Sequence, residues 1–356
     1  MITEPYNKFI HSKFELNGSK FNVKNIKTFA SNCINSVSKN EVDLGNFILD
    51  WIDDSKYISL FTSGTTSKAK HIKIEKVCLV NSALLTASYF NLKPGHKLLC
   101  CLPFSYIAGK MMLIRSFVIG LSLDIIEPSS NPLQLIDNNR YDFSSMVPFQ
   151  VEKSLPKLSQ IGTLLIGGAP VSKFLSSMLI GNESKIYETF GMTETVSHFA
   201  VKNLSMGESC FSLLPDISIS LDHRNCLVVH APKLNQERLV TNDVITLLSS
   251  KKFIWLGRYD NIINSGGIKI HPEELEKQIE NQVNLRYFIS SVKDNELGEK
   301  VVLIIEGKKI NIGFDWGEID SKKQPKSIIF IEKFIETKNG KINRKKTKDL
   351  LNLNIT

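Results

Sequence analysis

Residues 60–70 contain the pattern best suited to binding a charged ligand. Four hydroxyl side chains fall among the five residues 62–66, around a glycine, and Lys68 and Lys70 follow. Hydroxyls and turn amides donate hydrogen bonds, and glycine lets the backbone approach a ligand, so the loop can form a nest for a polyphosphate. An ordinary polar surface loop has the same composition, and the Walker A pattern is absent. The loop positions are Thr62, Ser63, Gly64, Thr65 and Thr66.

Glu194 lies in a second polar turn, Phe190-Gly191-Met192-Thr193-Glu194, which follows a strand-like segment. Its carboxylate is suited to Mg²⁺, a hard cation that takes oxygen ligands and is usually shared with phosphates. A lone glutamate is more often a solvated side chain, so this turn by itself leaves both readings open.

Asp243 and Arg258 form a third candidate. A carboxylate such as Asp243, in Thr241-Asn242-Asp243, can accept hydrogen bonds from both hydroxyls of a ribose, and Arg258 can add donors. The alternative is a structural turn with a surface ion pair.

Lys341 belongs to the basic segment 337–344 near the end of the chain. The chain carries a net charge of +8 and a pI of about 9.0. This excess of positive charge would favour an anionic ligand, and a lysine-rich solvated surface explains it equally simply. No aromatic residue is interleaved with the basic run 338–348, so the sequence does not favour a nucleic-acid partner.

Alternating strand-like and helix-like segments predict how these residues are positioned. Strands followed by helices indicate a mostly parallel sheet covered by helices, in which ligands bind beyond the carboxyl ends of the strands. The expected strands are Tyr57–Thr62, Lys97–Leu102, Leu121–Ile126, Thr163–Ile166 and Lys185–Phe190, and the expected helices are Lys76–Phe90 and Met111–Gly120.

The pattern changes after about residue 200. Short β-type runs predict an antiparallel layer, and a proline-led, acidic helix (272–280) with two further strands predicts a small α+β lobe. We therefore expect an α/β protein with domains 1–257 and 258–356. The β-type runs are Ile217–Leu221, Cys226–His230, Val244–Leu248 and Phe253–Leu256, and the strands of the lobe are Phe288–Val292 and Val301–Ile305.

Several classes of protein are disfavoured by composition. The six cysteines show no zinc-type spacing, so buried reduced thiols are expected. The first residues lack the apolar core of a signal peptide, and the longest apolar stretch (111–126) is broken by Arg115 and Asp124. We expect a soluble cytoplasmic protein without a transmembrane segment.

Five motifs in order resemble those of the adenylate-forming superfamily, which contains acyl-CoA synthetases, adenylation domains and luciferases. TSGTTSKAK is similar to the family's TSGTTGxPK loop, FGMTE to YGxTE, and TND to TGD, with Asn242 standing in the glycine position. GRYDNIINSGGIKIHPEELE is similar to GRxDDxIKxxGxxIxPxEIE, and NGKINR to GKxxR. Family members have a long segment before the phosphate loop, whereas 61 residues precede Thr62, so we expect a shortened first domain.

The resemblance implies a role for each matching residue. ATP and its Mg²⁺ would be held by the phosphate loop and by Glu194, and Lys341 would bridge the nucleophile and phosphate oxygens, with Thr193 as a further catalytic candidate. The C-terminal lobe would be mobile, turning about a hinge near Asp260. The positions assigned to cofactors are Thr62, Ser63, Gly64, Thr65, Thr66, Lys70, Gly168, Gly191, Asp243, Arg258, Gly266 and Gly267, the last two near the CoA route.

Three segments, 102–115, 165–170 and 191–198, are similar to the short o-succinylbenzoate–CoA ligases of menaquinone biosynthesis. This resemblance implies an acyl-adenylate intermediate and then a CoA thioester. o-Succinylbenzoate has a second carboxylate that needs cationic or hydrogen-bonding partners. The candidates are Lys110, Arg115, Ser197 and His198, although Arg115 is equally well read as a cation on a helix surface.

Other functions stay open from sequence alone. The chain is also consistent with a ligase for another aromatic or acyl acid, with an acyl-adenylate donor to a carrier protein, and with a catalytically silent nucleotide-binding protein. Nothing in the sequence sets the oligomeric state, and a homo-oligomer is allowed.

Overall fold

The computed structural model describes residues 9–61, 71–235, 237–283, 285–310, 313–317, 319–337 and 342–353. These residues form eight α-helices and twenty strands. The helices are α1 (Val23–Ile34), α2 (Lys39–Ile52), α3 (Lys76–Phe90), α4 (Ile107–Ile119), α5 (Pro148–Ser154), α6 (Lys173–Leu179), α7 (Pro272–Ile279) and α8 (Arg344–Leu353).

The strands are numbered β1 to β20 in chain order, and the first twelve fall before residue 222. They are β1 (Glu15–Leu16), β2 (Ser19–Lys20), β3 (Tyr57–Phe61), β4 (His71–Glu75), β5 (Lys97–Cys100), β6 (Ser122–Ile125), β7 (Tyr141–Met146), β8 (Ile161–Ile166), β9 (Lys185–Gly191), β10 (His198–Asn203), β11 (Phe211–Leu213) and β12 (Ser218–Leu221). The others are β13 (Cys226–His230), β14 (Leu239–Ser249), β15 (Lys252–Arg258), β16 (Ile263–Ser265), β17 (Ile268–Ile270), β18 (Tyr287–Asp294), β19 (Gly298–Glu306) and β20 (Ser327–Ile331).

Thirteen strands form one sheet, in the order β12-β13-β14-β15-β11-β10-β9-β8-β7-β5-β6-β1-β2. The stretch from β9 through β8, β7 and β5 to β6 is parallel, as predicted. The predicted antiparallel strands belong to the same sheet, because β10 pairs antiparallel with β9. The α/β fold class expected from the sequence is confirmed.

The parallel strands are buried on both faces. Along β5 and the residue that follows it, Leu98 and Cys100 belong to the apolar cluster that includes α1 to α4, whereas Leu99 and Cys101 belong to the cluster that includes α5 and α6. Since side chains alternate between the two faces of a strand, a continuous apolar run is what a doubly covered strand requires.

Helix α3 spans Lys76–Phe90, in agreement with the prediction, and ends at Asn91 in a left-handed conformation. Helix α4 begins at Ile107, earlier than predicted, and ends at Gly120 with φ of 81°. Glycine is favoured there because it adopts positive φ without a steric penalty.

Strands β16 to β20 form a second sheet. Four of them follow the order β17-β16-β19-β18, and β20 pairs with β19. The change from the first sheet to the second falls between β15 and β16, across a 3₁₀ turn at Tyr259–Asn261. The division into domains 1–257 and 258–356 stays a prediction. Within the described segments, every helix falls short of the length and apolarity needed to cross a membrane.

Candidate active site

Asp243 and Arg258 face each other across the β14–β15 ladder. Asp243 Oδ2 lies 3.4 Å from Arg258 Nη1, and Asp243 Oδ1 accepts a hydrogen bond of 3.0 Å from Trp255 Nε1. Burial raises the pKa of Asp243, against the opposing effect of Arg258. The sequence left a structural turn open as an alternative at these residues. The structure instead places Asp243 inside a strand, because β14 begins at Leu239.

Asn242, the residue before Asp243 on β14, links three segments. Its side chain accepts a hydrogen bond of 2.9 Å from Arg224 Nη1 and donates to both carboxylate oxygens of Asp260, at 3.1 and 3.2 Å. Arg224 in turn lies over the Tyr259 ring, 5.0 Å from its centroid. The residue that departs from the family pattern therefore contacts the expected hinge position.

Gly191 and Glu194 lie at the carboxyl end of β9, and Gly168 lies just beyond the parallel neighbour β8. Glu194 is half-buried in the 3₁₀ turn Thr193–Thr195, and its carbonyl accepts a hydrogen bond of 3.1 Å from Asn235. Gly168 has φ of 84°. The parallel register thus brings three predicted residues to one edge of the sheet.

Gly191 is required by the close approach of β9 and β10. A Cβ at this position would lie 2.3 Å from the Ser197 carbonyl oxygen and 2.6 Å from His198 Cα. Only glycine leaves the chain after Glu194 room to turn back along β9.

Arg115, Ser197 and His198 form a buried polar cluster. Arg115 Nη2 donates a hydrogen bond of 3.0 Å to Ser197 Oγ, which lies 3.2 Å from His198 Nδ1. Arg115 is 2% exposed and His198 is 7% exposed. The structure therefore contradicts the reading of Arg115 as a cation on a helix surface.

Burial shifts both titratable groups of this cluster. Burial lowers the pKa of Arg115 to about 10, so the guanidinium stays charged at neutral pH. Burial, with a further contribution from Arg115, lowers the pKa of His198 to about 3, so the imidazole is neutral. No carboxylate in the described segments pairs with Arg115, and Arg115 Nε and His198 Nε2 are buried without hydrogen-bond partners there.

The side chain of Lys110 contacts residues outside this cluster. Its ammonium is 5.1 Å from the centroid of the Phe47 ring of α2, and the acidic groups that act on it are Asp50 and Asp43. Lys110 and Arg115 are five positions apart, which places them on different faces of α4. Its role as a substrate contact stays a prediction.

Gly266 and Gly267 form the two-residue loop of the β16–β17 hairpin, with φ of 57° and 83°. Positive φ at both positions is typical of a type I′ turn, which explains the glycines by local geometry. Their expected place near the CoA route is not tested by this geometry.

The residues Thr62–Thr66, Lys70 and Lys341 lie outside the described residues. The segments on either side of 338–341 are described. Glu336 and Ile342 form an antiparallel β-bridge, and Asn343 N donates a hydrogen bond of 2.7 Å to Ile335 O. Arg344 then forms two hydrogen bonds with Glu276, at 2.8 and 2.7 Å.

A cleft of about 780 Å³ lies beside these anchors, and residues from both sheets line it. Arg258 and Trp255 contribute from β15, and Ile342 and Arg344 from the C-terminal segment. Sequence reasoning did not find Trp255 or Glu276, because their contacts depend on strand register and helix packing, for which no local pattern is diagnostic.

A single carboxylate, that of Glu194, could contribute to holding Mg²⁺ at this end of the sheet. The described residues contain no group of three or more His, Cys, Asp or Glu side chains able to hold a metal. A single carboxylate such as Glu194 suits Mg²⁺, which usually takes one or two carboxylates together with phosphate oxygens and water.

The family model described as AMP-binding enzyme matches residues 36–229 of the chain, more than half of its length. The chain belongs to the AMP-binding enzyme family. This confirms the resemblance to the adenylate-forming superfamily and the expectation of an enzyme.

Two further relatives of this AMP-binding enzyme extend the match. A 2-succinylbenzoate–CoA ligase from Listeria monocytogenes is 27% identical over 339 residues, covering 85% of this chain and 72% of the relative. The crystal structure of an acyl-CoA synthetase (AMP-forming)/AMP-acid ligase II-like protein from Dyadobacter fermentans is 31% identical, with a TM-score of 0.60, covering 91% of this chain and 98% of the other.

The fold is also that of the o-succinylbenzoate coenzyme A synthetase of Bacillus subtilis, crystallised in complex with ATP and a magnesium ion. That structure has a TM-score of 0.74 at 20% identity, covering 82% of this chain and 69% of the other. ATP and Mg²⁺, expected from the sequence, are thus ligands of a protein with this fold.

Proposed function

We propose that the chain is an ATP-dependent acid–CoA ligase that acts on o-succinylbenzoate. The observation that carries the proposal is the buried Arg115–Ser197–His198 cluster. It holds a positive charge without a carboxylate partner among the described residues. A buried cation is costly unless it is paired, so the cluster is suited to an anionic group that arrives with the substrate.

The hydrogen-bond order within the cluster supports an anion. Arg115 donates to Ser197 Oγ, which leaves the serine proton free to donate to His198 Nδ1. That arrangement places the ring proton of the neutral imidazole on Nε2. Arg115 Nε and His198 Nε2 then supply two unpaired donors in a dry site, as the second carboxylate of o-succinylbenzoate requires.

The reaction has two displacements. In the first, an oxygen of the substrate carboxylate bonds to the α-phosphorus of ATP and the bond to pyrophosphate breaks. In the second, the CoA sulfur bonds to the acyl carbon, the bond to AMP breaks and the thiol proton leaves. A carboxylate is already a nucleophile, so the protein mainly orients the anions and offsets their charge.

The family resemblance assigns the residues that bind the nucleotide and CoA. Hydroxyls and amides of residues 62–66 and Lys70 hold phosphates, Asp243 and Arg258 hold the ribose, and Gly168 and Gly191 border the nucleotide. Thr193 and Lys341 complete the charge stabilisation, with Gly266 and Gly267 beside the thiol. Glu194 would hold Mg²⁺, which would supply charge neutralisation at the phosphates.

The names of relatives support the substrate. The Listeria monocytogenes ligase and a Lactococcus lactis protein of the same name, 23% identical over 330 residues, are both 2-succinylbenzoate–CoA ligases. The proposed activity needs only small-molecule partners: the acid, ATP and CoA.

The test compares three acids with ATP, Mg²⁺ and CoA: o-succinylbenzoate, 4-oxo-4-phenylbutanoate and benzoate. Each of the last two retains only one carboxylate. We expect mass spectrometry to show the CoA thioester of o-succinylbenzoate, with AMP and pyrophosphate released. Equal or faster turnover of either monocarboxylate would assign the chain to another acid–CoA ligase.

The matched variant is Arg115→Met, which keeps the apolar stem of the side chain. We expect kcat/KM for o-succinylbenzoate to fall on the order of 100-fold, because the second carboxylate loses a buried cationic partner. The monocarboxylates should change little. The variant should remain folded, because replacing an unpaired buried charge by an apolar group is neutral or stabilising. An equal loss for all three acids would reject the proposed contact.

A further inference from the structure

The chain from Met192 to Ser197 contains a strained turn, and we call this segment the Thr195 turn (residues 192–197). Val196 has φ of 66° and ψ of −52°, and Ser197 N donates a hydrogen bond of 2.6 Å to Thr195 O. This is a γ-turn of the positive-φ type, which is rare and strained. A β-branched residue is especially unfavourable in this region.

A strained conformation persists only when surrounding contacts hold it. Val196 is fully buried in the apolar cluster that includes α3 and α4. Ser197 O packs against Gly191, where no Cβ would fit. Packing therefore holds the middle and the far end of the Thr195 turn.

The hydroxyl of Thr195 connects both ends of the turn. Thr195 is fully buried, and its Oγ1 accepts a hydrogen bond of 3.0 Å from Met192 N. Its single proton reaches Ser197 O at 2.8 Å or Met192 O at 3.0 Å. Few other side chains can accept from one strand end and donate to the other within this space.

We propose that Thr195 is a positioning residue that sets where Ser197 and His198 meet Arg115. Its hydroxyl closes the Thr195 turn and so orients Ser197 Oγ, the atom that joins Arg115 to His198. The inference rests on the proposed function, because the orientation matters through the second carboxylate of the substrate. Thr195 itself touches neither substrate nor nucleotide in this assignment.

The experiment measures the ratio of kcat/KM for o-succinylbenzoate to that for 4-oxo-4-phenylbutanoate in three proteins. They are the wild type, Thr195→Val, which keeps the shape but loses the hydroxyl, and Thr195→Ser, which keeps the hydroxyl. The ratio should fall about tenfold in Thr195→Val, since a buried hydrogen-bond pair is lost, and should be retained in Thr195→Ser.

A merely structural role lowers turnover of both acids equally and leaves the ratio unchanged, and that result overturns the inference. Equal losses in the serine and valine variants would also overturn it, because the methyl group and not the hydroxyl would then matter. If Thr195→Val does not fold, Thr195→Ala takes its place with the same expected ratio. A wild type that does not use o-succinylbenzoate would instead overturn the proposed function.

Discussion

Arg115 shows how one residue gains chemical meaning from its surroundings. The guanidinium lies on an apolar helix, is buried, and has a serine, a methionine sulfur and a neutral histidine as its polar neighbours. In a dry environment it cannot lose its proton at neutral pH, so it keeps a charge that attracts an anion. Binding selectivity at this point follows from a charge that the fold leaves unpaired within the described residues.

His198 gives the residue-scale prediction. Its folded pKa of about 3 lies below the unfolded value of about 6.5, so the unfolded chain takes up a proton that the folded chain excludes. Its contribution to stability is therefore present above pH 6.5 and falls as the pH drops toward 3. Between about pH 7.5 and pH 5 the wild type should lose about 2 kcal/mol more unfolding free energy than His198→Gln.

Urea unfolding at both pH values measures this difference. His198→Gln is the matched control, because it keeps a polar side chain but has no group that titrates in this range. Parallel losses in the two proteins would show that His198 is not buried in its neutral form.

At the scale of elements, the junction of β9 with β10 organises the site. The parallel part of the sheet ends at β9, and the chain returns antiparallel along β10 after the Thr195 turn. This reversal places Glu194 and Ser197 three residues apart on a short, tightly bonded segment. One element therefore carries both a carboxylate suited to a metal and the hydroxyl that joins Arg115 to His198.

Gly191→Ala tests that junction. The added Cβ would lie 2.3 Å from Ser197 O, so the two strands must separate. We expect a loss of about 1–3 kcal/mol in unfolding free energy, typical of overpacking, together with a strong loss of ligase activity. Gly313→Ala is the control, because nothing lies within 4 Å of a Cβ there. Wild-type stability and activity in both variants would contradict the close approach.

At the scale of the whole molecule, the second sheet contacts the first through α7 and the turn after it. Lys277 lies over the Trp255 ring, 5.1 Å from its centroid, and Glu273 occupies the space that a Cβ on Gly257 would fill. Glu280 Oε1 accepts a hydrogen bond of 2.8 Å from Phe174 N, at the start of α6. Charged side chains, more than apolar ones, make these contacts, which suits an interface that can separate.

Glu280→Ala tests this contact. Without the carboxylate, the Phe174 amide loses its acceptor, so α6 should open more often and exchange its amide hydrogens faster. Hydrogen–deuterium exchange of a peptide covering 173–179 should show faster uptake than in the wild type. Glu274→Ala, an exposed position on α7, should leave this uptake unchanged. Equal exchange in both variants would mean that Glu280 does not hold α6.

Much of the local structure could be predicted because it depends on neighbouring residues. The apolar spacing of residues 76–90 predicted α3 with its observed bounds, and Gly120 was identified as the end of α4. The order of the motifs indicated the family, since each motif is a continuous segment. The β14 strand was predicted too short, because Thr241-Asn242-Asp243 has the composition of a turn and only its pairing with β13 and β15 keeps it extended.

The sequence by itself determined the family, the type of the main elements and the candidates for the acid site. The tertiary structure decided that Arg115 is buried and meets Ser197, 82 residues away, while the contacts of Lys110 are with α2 and its acids. An arginine in an apolar helix has the same sequence signal whether it faces solvent or a dry pocket. Only the packing of α4 against the sheet, and the reversal of chain after β9, fix which of these environments it has.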